Sequence, residues 1–155
     1  MRAPPLDVTD RQLLRLLQKN NRRCLRDLAE ELGISAPTCM RRMRRLELTG
    51  VIRAHAALLS PTRIGFAVMA FVEVTLVNAS GAEMADFERR MSRCPEVTQC
   101  SELAGDVDYL LTVQVREMQE FADFTRTQLG DDRRVRTYRS LLVLRQLKNE
   151  HELSV

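Results

Sequence analysis

The first fifty residues contain three short amphipathic segments that are separated by turn residues. The spacing of the apolar residues predicts helices over Asp10–Asn20, Arg22–Leu32 and Ala36–Thr49, because apolar side chains recur at intervals of three and four residues. Gly33 follows the second segment and Gly50 follows the third, as is usual at helix C-termini. Such short helices must pack on one another, and two helices joined by a tight glycine-containing turn form the helix-turn-helix pattern.

The third segment has an uneven distribution of charge around its axis. At about 100° per residue, Cys39, Met43 and Leu46 share a narrow apolar face, while the opposite face is basic or neutral. Arg41 and Arg45 are like charges four residues apart, an arrangement that destabilises a helix unless a polyanion neutralises it. In a helix-turn-helix the second helix enters the DNA major groove. The residues predicted to contact DNA are Ser35, Ala36, Pro37, Thr38, Met40, Arg41, Arg42, Arg44 and Arg45. A solvated charged face is the alternative.

The charge of the whole chain supports a division into two modules. The net charge is +3, but residues 1–66 hold 13 Lys/Arg against 6 Asp/Glu, and residues 67–155 hold 11 against 15. A basic module favours a polyanionic partner. We assign residues 1–58 to a winged helix-turn-helix domain, 59–66 to a hinge and 67–155 to a second domain. Val51–Ala56 is predicted as a short strand, a wing or a tether.

The second module alternates between strand and helix patterns. Its predicted elements are strands over Ala67–Val77, Val97–Ala104, Tyr109–Arg116 and Val135–Leu147, and helices from Ser80 or Gly81 to about Arg93 and over Glu117–Leu129. The order β-α-β-β-α-β is that of a ferredoxin-like fold, so the fold class is α+β, with both helices on one face of an open sheet. Apolar residues on both sides of the strands predict that a second copy covers the other face, which makes a homodimer.

Several functional classes are disfavoured by what the sequence lacks. No apolar stretch is long enough to span a bilayer, and no apolar segment follows Met1 as a secretory signal would require. The cysteines and the two histidines lack the spacing of zinc ligands, so no metal site is expected. No nucleophile–base pattern or phosphate-binding loop appears, so no catalytic residue is assigned. Reduced thiols of a cytoplasmic protein are expected, with a Cys94–Cys100 disulfide as an alternative.

Four motifs, in order along nearly the whole chain, resemble the Lrp/AsnC (feast/famine) family. They are Leu28-Ala29…Leu32-Gly33-Ile34-Ser35, Leu46-Glu47…Gly50-Val51-Ile52, Gly105-Asp106-Val107-Asp108-Tyr109 and Val143-Leu144-Arg145-Gln146-Leu147-Lys148. The resemblance implies a transcription regulator that acts in the cytoplasm on double-stranded DNA, assembles from homodimers into tetramers or octamers, and binds an amino acid between dimers. It implies no other cofactor.

The resemblance also places an effector pocket. Carried over by position, its residues are Gly105, Asp106, Asp108, Tyr109, Leu141, Leu142 and Val143. Carboxylates can hold an ammonium group, and main-chain N–H groups can hold a carboxylate, so the turn chemistry suits a zwitterion. For the two aspartates the alternative is a role in the turn alone. Leu141 stands where leucine-responsive members have tyrosine, which argues against leucine as the effector.

An enzyme and a stand-alone sensor are the two alternative classes of function. The family's fold is also used by haem-pathway decarboxylases of the siroheme type, which rely on histidine, but His55 and His151 have no acid–base partner in the sequence. A stand-alone amino-acid sensor would leave the basic third helix unexplained. The preferred interpretation is therefore a DNA-binding regulator rather than an enzyme.

Overall fold

The computed structural model describes residues 5–78 and 80–155. Met1–Pro4 and Ala79 lie outside these ranges. The expectation that no secretory signal follows Met1 concerns mainly Met1–Pro4 and so lies outside the described residues. Within the described ranges, no helix has both the length and the apolar character needed to cross a bilayer.

Helix α1 (Val8–Lys19) begins two residues earlier than the apolar spacing predicts. The carboxylate of Asp7 accepts a hydrogen bond from the N–H of Asp10 at 2.8 Å, and the carboxylate of Asp10 accepts one from the N–H of Asp7 at 3.1 Å. This reciprocal cap satisfies N–H groups that have no partner inside the helix. The helix therefore extends back to the residue after Asp7.

Helices α2 (Leu25–Glu31) and α3 (Ala36–Leu48) form the predicted helix-turn-helix pair. Helix α2 begins three residues later than predicted, because residues 21 and 22 form a turn and Cys24 is the N-cap. Gly33, between the two helices, has a φ of +64°, which glycine adopts without the steric cost paid by other residues. The three helices share one core, made of Leu13, Leu14, Leu17, Leu28, Ala29, Cys39 and Leu46.

The predicted strand over Val51–Ala56 is absent, because no neighbouring segment of the described chain completes a ladder with it. The chain divides into two units: the first ends at Leu58 but also includes Lys148–Val155, and the second is Leu59–Leu147. The final residues join the first unit because Gln18 of α1 binds the main chain of Leu153. Its Nε2 donates to the Leu153 carbonyl at 3.0 Å, and its Oε1 accepts from the Leu153 N–H at 2.7 Å.

The second unit has the β-α-β-β-α-β order that the sequence predicts. Its strands are β1 (Val68–Leu76), β2 (Val97–Glu102), β3 (Tyr109–Val115) and β4 (Val135–Leu142). They form one antiparallel sheet in the spatial order β2-β3-β1-β4. Its helices are α4 (Gly81–Met91) and α5 (Met118–Phe124), the second continuing through a wider helical turn, Thr125–Gly130. Strand β4 ends five residues before the predicted end at Leu147.

The core of the second unit lies between one face of the sheet and the two helices. Alternate residues of β1, from Ala70 to Leu76, are buried against Phe87, Phe121 and other apolar side chains. The intervening residues of β1 are only half-buried and lie on the opposite face, since successive side chains of a strand alternate between faces. Among the described residues, that second face has no covering helix.

Candidate nucleic-acid interface and effector region

Helix α3 presents an exposed basic surface on the side away from its core. Cys39 and Leu46 are buried, as the helical spacing predicts, and this fixes which side of the helix faces solvent. Arg41 and Arg44 are exposed on that side. Within the described part of the chain neither of them joins an ion pair, whereas both Arg42 and Arg45 do.

The exposed side of α3 is a continuous surface rather than an enclosed pocket. It is formed by Pro37, Met40, Arg41, Arg44, Arg45, Leu48 and Thr49. The side chain of Met40 is 46% exposed and that of Leu48 is 88% exposed. Apolar side chains between arginines suit a DNA major groove, in which thymine methyl groups lie beside phosphates and guanine edges.

The other residues predicted to contact DNA, at the start of α3, differ in whether their side chains are available to a ligand. Ser35 is the N-cap residue but makes no side-chain hydrogen bond to the helix backbone. Its hydroxyl instead donates to Oγ1 of Thr38 at 2.9 Å. Ala36 packs partly against the helical core, so its methyl group points inward rather than toward a ligand.

Arg42 and Arg45 have carboxylate partners that the sequence pattern did not show. One guanidinium nitrogen of Arg42 donates to Asp7 at 2.6 Å and to Asp10 at 2.8 Å. Arg45 donates to the other oxygen of Asp10, whose side chain is completely buried. A hydrogen bond from the backbone of Asp10, followed by one from Arg42, holds the pKa of Asp7 below its ordinary value. The helical wheel of α3 could not reveal these partners, because they come from α1.

The predicted effector turn connects β2 to β3, and its residues differ in how they are held. Gly105 and Asp106 are exposed. Asp108 is tied down, since its N–H donates to the carbonyl of Val74 at 3.0 Å and its carboxylate accepts from the N–H of Leu76 at 2.7 Å. Asp108 therefore has a structural role in the turn, and Asp106 is the aspartate of this turn whose side chain faces solvent.

Tyr109 points into the unit rather than toward solvent. Its side chain is buried beneath α4, and its hydroxyl donates to the carboxylate of Glu88 at 2.9 Å. Burial, with a contribution from Glu88, raises the pKa of Tyr109 well above its ordinary value. A polar recess of about 360 Å³ adjoins it, lined by these two residues and by Ser92, Cys100 and Glu102. Glu88 and Ser92 were not predicted, because the link from α4 to β3 is a tertiary contact.

The turn and the last strand are not brought together within one chain. Tyr109 lies opposite Val74 in the sheet, whereas Leu142 lies opposite Ala70. Four residues of β1 separate these positions, which is roughly 13 Å at the usual rise of a strand. Leu141 lies opposite Phe71, and the N–H of Val143 donates to the carbonyl of Met69 at 2.9 Å. One protomer therefore supplies two separate halves of the predicted pocket.

The four cysteines are free thiols in this structure. Cys24, Cys39, Cys94 and Cys100 are all free, so the alternative of a Cys94–Cys100 disulfide does not describe this structure. Burial raises the pKa of the Cys94 thiol to about 12, which leaves little reactive thiolate near neutral pH. Within residues 5–78 and 80–155, no cluster of three or more His, Cys, Asp or Glu side chains could hold a metal ion.

Both halves of the chain match known protein families. Residues 6–53 match a family model described as winged helix-turn-helix DNA-binding, and residues 69–153 match one described as the Lrp/AsnC ligand binding domain. The chain is 37% identical over 150 residues to the leucine-responsive regulatory protein of Rhizobium meliloti, covering 97% of this chain and 96% of that protein. It is 38% identical over 116 residues to the glutamate uptake regulatory protein of Zymomonas mobilis, covering 75% and 71% respectively.

Solved structures give the same result. An AsnC family transcriptional regulator from Agrobacterium tumefaciens superposes with a TM-score of 0.88 at 33% identity, with 96% of each chain covered. A transcriptional regulator from Neisseria meningitidis, solved in complex with L-Met, superposes with a TM-score of 0.88 at 34% identity and the same coverage.

The fold, the basic second helix of the helix-turn-helix and these similarities define a two-domain transcription regulator rather than an enzyme. The chain belongs to the Lrp/AsnC family. This confirms the resemblance carried by the four sequence motifs. The expectation that His55 has no acid–base partner is wrong, because its Nε2 lies 3.1 Å from Oε1 of Glu47. The family membership nevertheless favours a regulator over the decarboxylase and stand-alone sensor interpretations.

Proposed function

We propose that this protein regulates transcription by placing helix α3 in the major groove of cytoplasmic double-stranded DNA, with Arg41 and Arg44 as its principal basic contacts. The observation that carries this proposal is that both arginines are exposed on the outward face of α3 without an ion-pair partner among the described residues. An exposed, uncompensated guanidinium can bind a phosphate or the edge of a guanine. Pro37, Thr38 and Met40 would contact bases or backbone beside them.

The salt dependence of DNA binding tests this proposal. The probe is a duplex selected from a random-sequence pool with the wild-type protein, and affinity is measured by fluorescence anisotropy at several salt concentrations. Each lost phosphate contact should reduce the slope of log affinity against log salt by about 0.9. We expect Arg41→Gln and Arg44→Gln each to weaken binding and to reduce the slope by about this amount for each protomer. Unchanged affinity and slope in both variants would exclude α3 as the interface.

An amino acid is the effector that the second domain suits best. Asp106 and the main-chain N–H groups of the exposed turn could hold the two charges of a zwitterion. The Neisseria regulator named above was solved with L-Met, which supports an amino acid as the class of ligand. Because the turn and Leu141–Val143 are far apart in one chain, a pocket that contains both requires residues from two protomers.

Thermal unfolding in the presence of each of the twenty amino acids tests the effector. A ligand that binds only the folded protein raises the unfolding midpoint, and the stabilisation grows with the logarithm of the ligand's excess over its dissociation constant. We expect at least one amino acid to raise the midpoint of the wild type and to lose this effect with Asp106→Asn. No stabilisation by any of the twenty would contradict the proposal.

A homodimer is proposed to form through the uncovered face of the sheet. Met69, Phe71 and Leu110 are half-buried on this face of β1 and β3, and Leu141 of β4 is 42% exposed. A second copy would remove these side chains from water. Light scattering should give a dimer or a multiple of it, such as a tetramer or octamer, for the wild type. Phe71→Asp should shift the mass toward the monomer, and an unchanged mass would place the interface elsewhere.

A further inference from the structure

The carboxylate of Asp10 is the point at which α1 holds α3. Its side chain is completely buried, and both of its oxygens are engaged. Oδ1 accepts from Arg42, and Oδ2 accepts from Arg45 and from the N–H of Asp7. An ionised group in such a place is costly unless it is paired and hydrogen-bonded. Here one carboxylate of α1 binds two arginines that lie about one turn apart on α3.

This arrangement compensates half of the arginine charge on α3. Asp7 and Asp10 supply two negative charges, and Arg42 and Arg45 supply two positive charges, so the four-residue cluster carries no net charge. Arg41 and Arg44 are outside the cluster and keep their charge. The four arginines therefore form two different pairs, one compensated by aspartates and one not, although the helical wheel shows them as one basic patch.

The same contacts restrict how α3 can move. Two side chains one turn apart that bind the same buried residue oppose both rotation of the helix about its axis and sliding along it. Arg41 and Arg44 directly adjoin the anchored residues in sequence, so a rotation of α3 would carry them away from their outward direction. Nε of Arg42 is buried without a hydrogen-bond partner among the described residues, a cost that the contacts of the same guanidinium with Asp7 and Asp10 must offset.

We infer that Asp10 is a positioning residue of the DNA-binding surface: it holds Arg42 and Arg45 as internal partners and thereby orients Arg41 and Arg44 toward DNA. This inference rests on the proposed function of α3. It assigns no phosphate contact to Arg45, although the side chain of Arg45 is 49% exposed and lies on the same surface as Arg41 and Arg44. It separates the residues that bind DNA from those that position them.

A matched set of substitutions tests the division between the two arginine pairs. Arg41→Gln, Arg44→Gln and Arg45→Gln each remove one positive charge from the same helix. On the selected duplex we expect the first two to reduce the salt slope by about 0.9 for each protomer. Arg45→Gln should leave the slope unchanged and lower the thermal unfolding midpoint instead. A reduction of the slope by Arg45→Gln equal to that of Arg41→Gln would overturn the inference.

Asp10→Asn provides a measurement that a loss of stability alone would not produce. With the carboxylate neutralised, Arg45 gains an uncompensated charge, so the salt slope should become steeper by up to about 0.9 for each protomer. Affinity for a scrambled duplex should rise, while the preference for the selected duplex should fall roughly tenfold, as for the loss of one base contact. Weaker binding to both duplexes with an unchanged slope would contradict the inference.

The double variant Asp10→Asn/Arg45→Gln keeps the test decisive if Asp10→Asn unfolds. It replaces the ion pair with two neutral amides, so it should recover stability relative to Asp10→Asn and return the slope to the wild-type value. A slope that stays steep in the double variant would show that Arg45 is not the released charge. If instead neither Arg41→Gln nor Arg44→Gln alters the slope, the proposed interface itself fails, which is a separate outcome.

Discussion

The carboxylate of Asp108 accepts a hydrogen bond from the main-chain N–H of Leu76 at 2.7 Å, and this contact ties the turn between β2 and β3 to the end of β1. The N–H of Asp108 reinforces it by donating to the carbonyl of Val74 at 3.0 Å. Asp108 is thus part of the fold whether or not a ligand binds. Asp106, two residues earlier, is exposed and is free to serve a different purpose.

Replacing Asp108 should therefore destabilise the second unit without any ligand present. Asp108→Ala leaves the N–H of Leu76 without its partner, which should lower the free energy of unfolding by about 1–3 kcal/mol. Asp106→Ala, in the same turn, is the matched control and should change it by less than about 0.5 kcal/mol. Urea denaturation followed by circular dichroism measures both. Equal effects from the two substitutions would remove the distinction between these aspartates.

Two leucines of α3 should respond very differently to truncation. Leu46 is 1% exposed in the helical core, whereas Leu48 is 88% exposed. Leu46→Ala should cost about 2–5 kcal/mol, because it removes buried apolar surface and leaves a cavity. Leu48→Ala on the same helix should be nearly neutral for stability. Thermal unfolding compares the two, and a large loss of stability with Leu48→Ala would show that this side chain is covered in solution.

The turn between α2 and α3 depends on the backbone conformation of Gly33. Its φ is +64°, and a Cβ added there would meet no atom within 4 Å. Gly33→Ala should therefore destabilise the protein by about 1 kcal/mol through backbone strain alone. Gly81, the first residue of α4, has equal space and no positive φ. Gly81→Ala should leave stability unchanged or raise it slightly. Because neither position is crowded, the difference between the two variants in differential scanning calorimetry measures the backbone strain at Gly33.

Acid should weaken the contacts that Asp132 makes with Arg90 and Arg134. Burial raises the pKa of Asp132 and hydrogen bonds from Arg134 lower it, with a net downward shift. A carboxyl whose pKa is lower in the folded state stabilises that state above its unfolded pKa, and this is lost as the pH falls through the folded pKa. The unfolding midpoint of the wild type should therefore fall steeply below about pH 4.

Asp132→Asn provides the comparison for this pH dependence. The variant should be less stable than the wild type near neutral pH, and its midpoint should fall less between about pH 4 and pH 2. Asp131→Asn, an exposed neighbour, should retain the wild-type pH profile. Parallel profiles for the wild type and Asp132→Asn would show that other carboxyl groups dominate the acid response.

The order of the elements and their core faces could be predicted because they depend on local periodicity. Cys39 and Leu46 share the buried side of α3, as expected from the helical spacing, and the second unit has the predicted order of strands and helices. The errors were at the ends of elements and in one short predicted strand. The capping box of Asp7 extended α1, and Val51–Ala56 lacked the neighbouring segment that a strand needs.

The amino-acid sequence by itself determined the fold class, the family and the helix that carries the basic surface, because these follow from periodicity, charge and motifs in order along the chain. Only the tertiary structure decided what each charged residue does. Asp10 and Arg45 are 35 positions apart, so no helical wheel could pair them. The same holds for Asp108 and Leu76, which meet only when β3 pairs with β1. Contacts between distant segments form only in the folded chain. These contacts decide which residues of one type are available to bind a partner and which hold a neighbouring helix or strand in place.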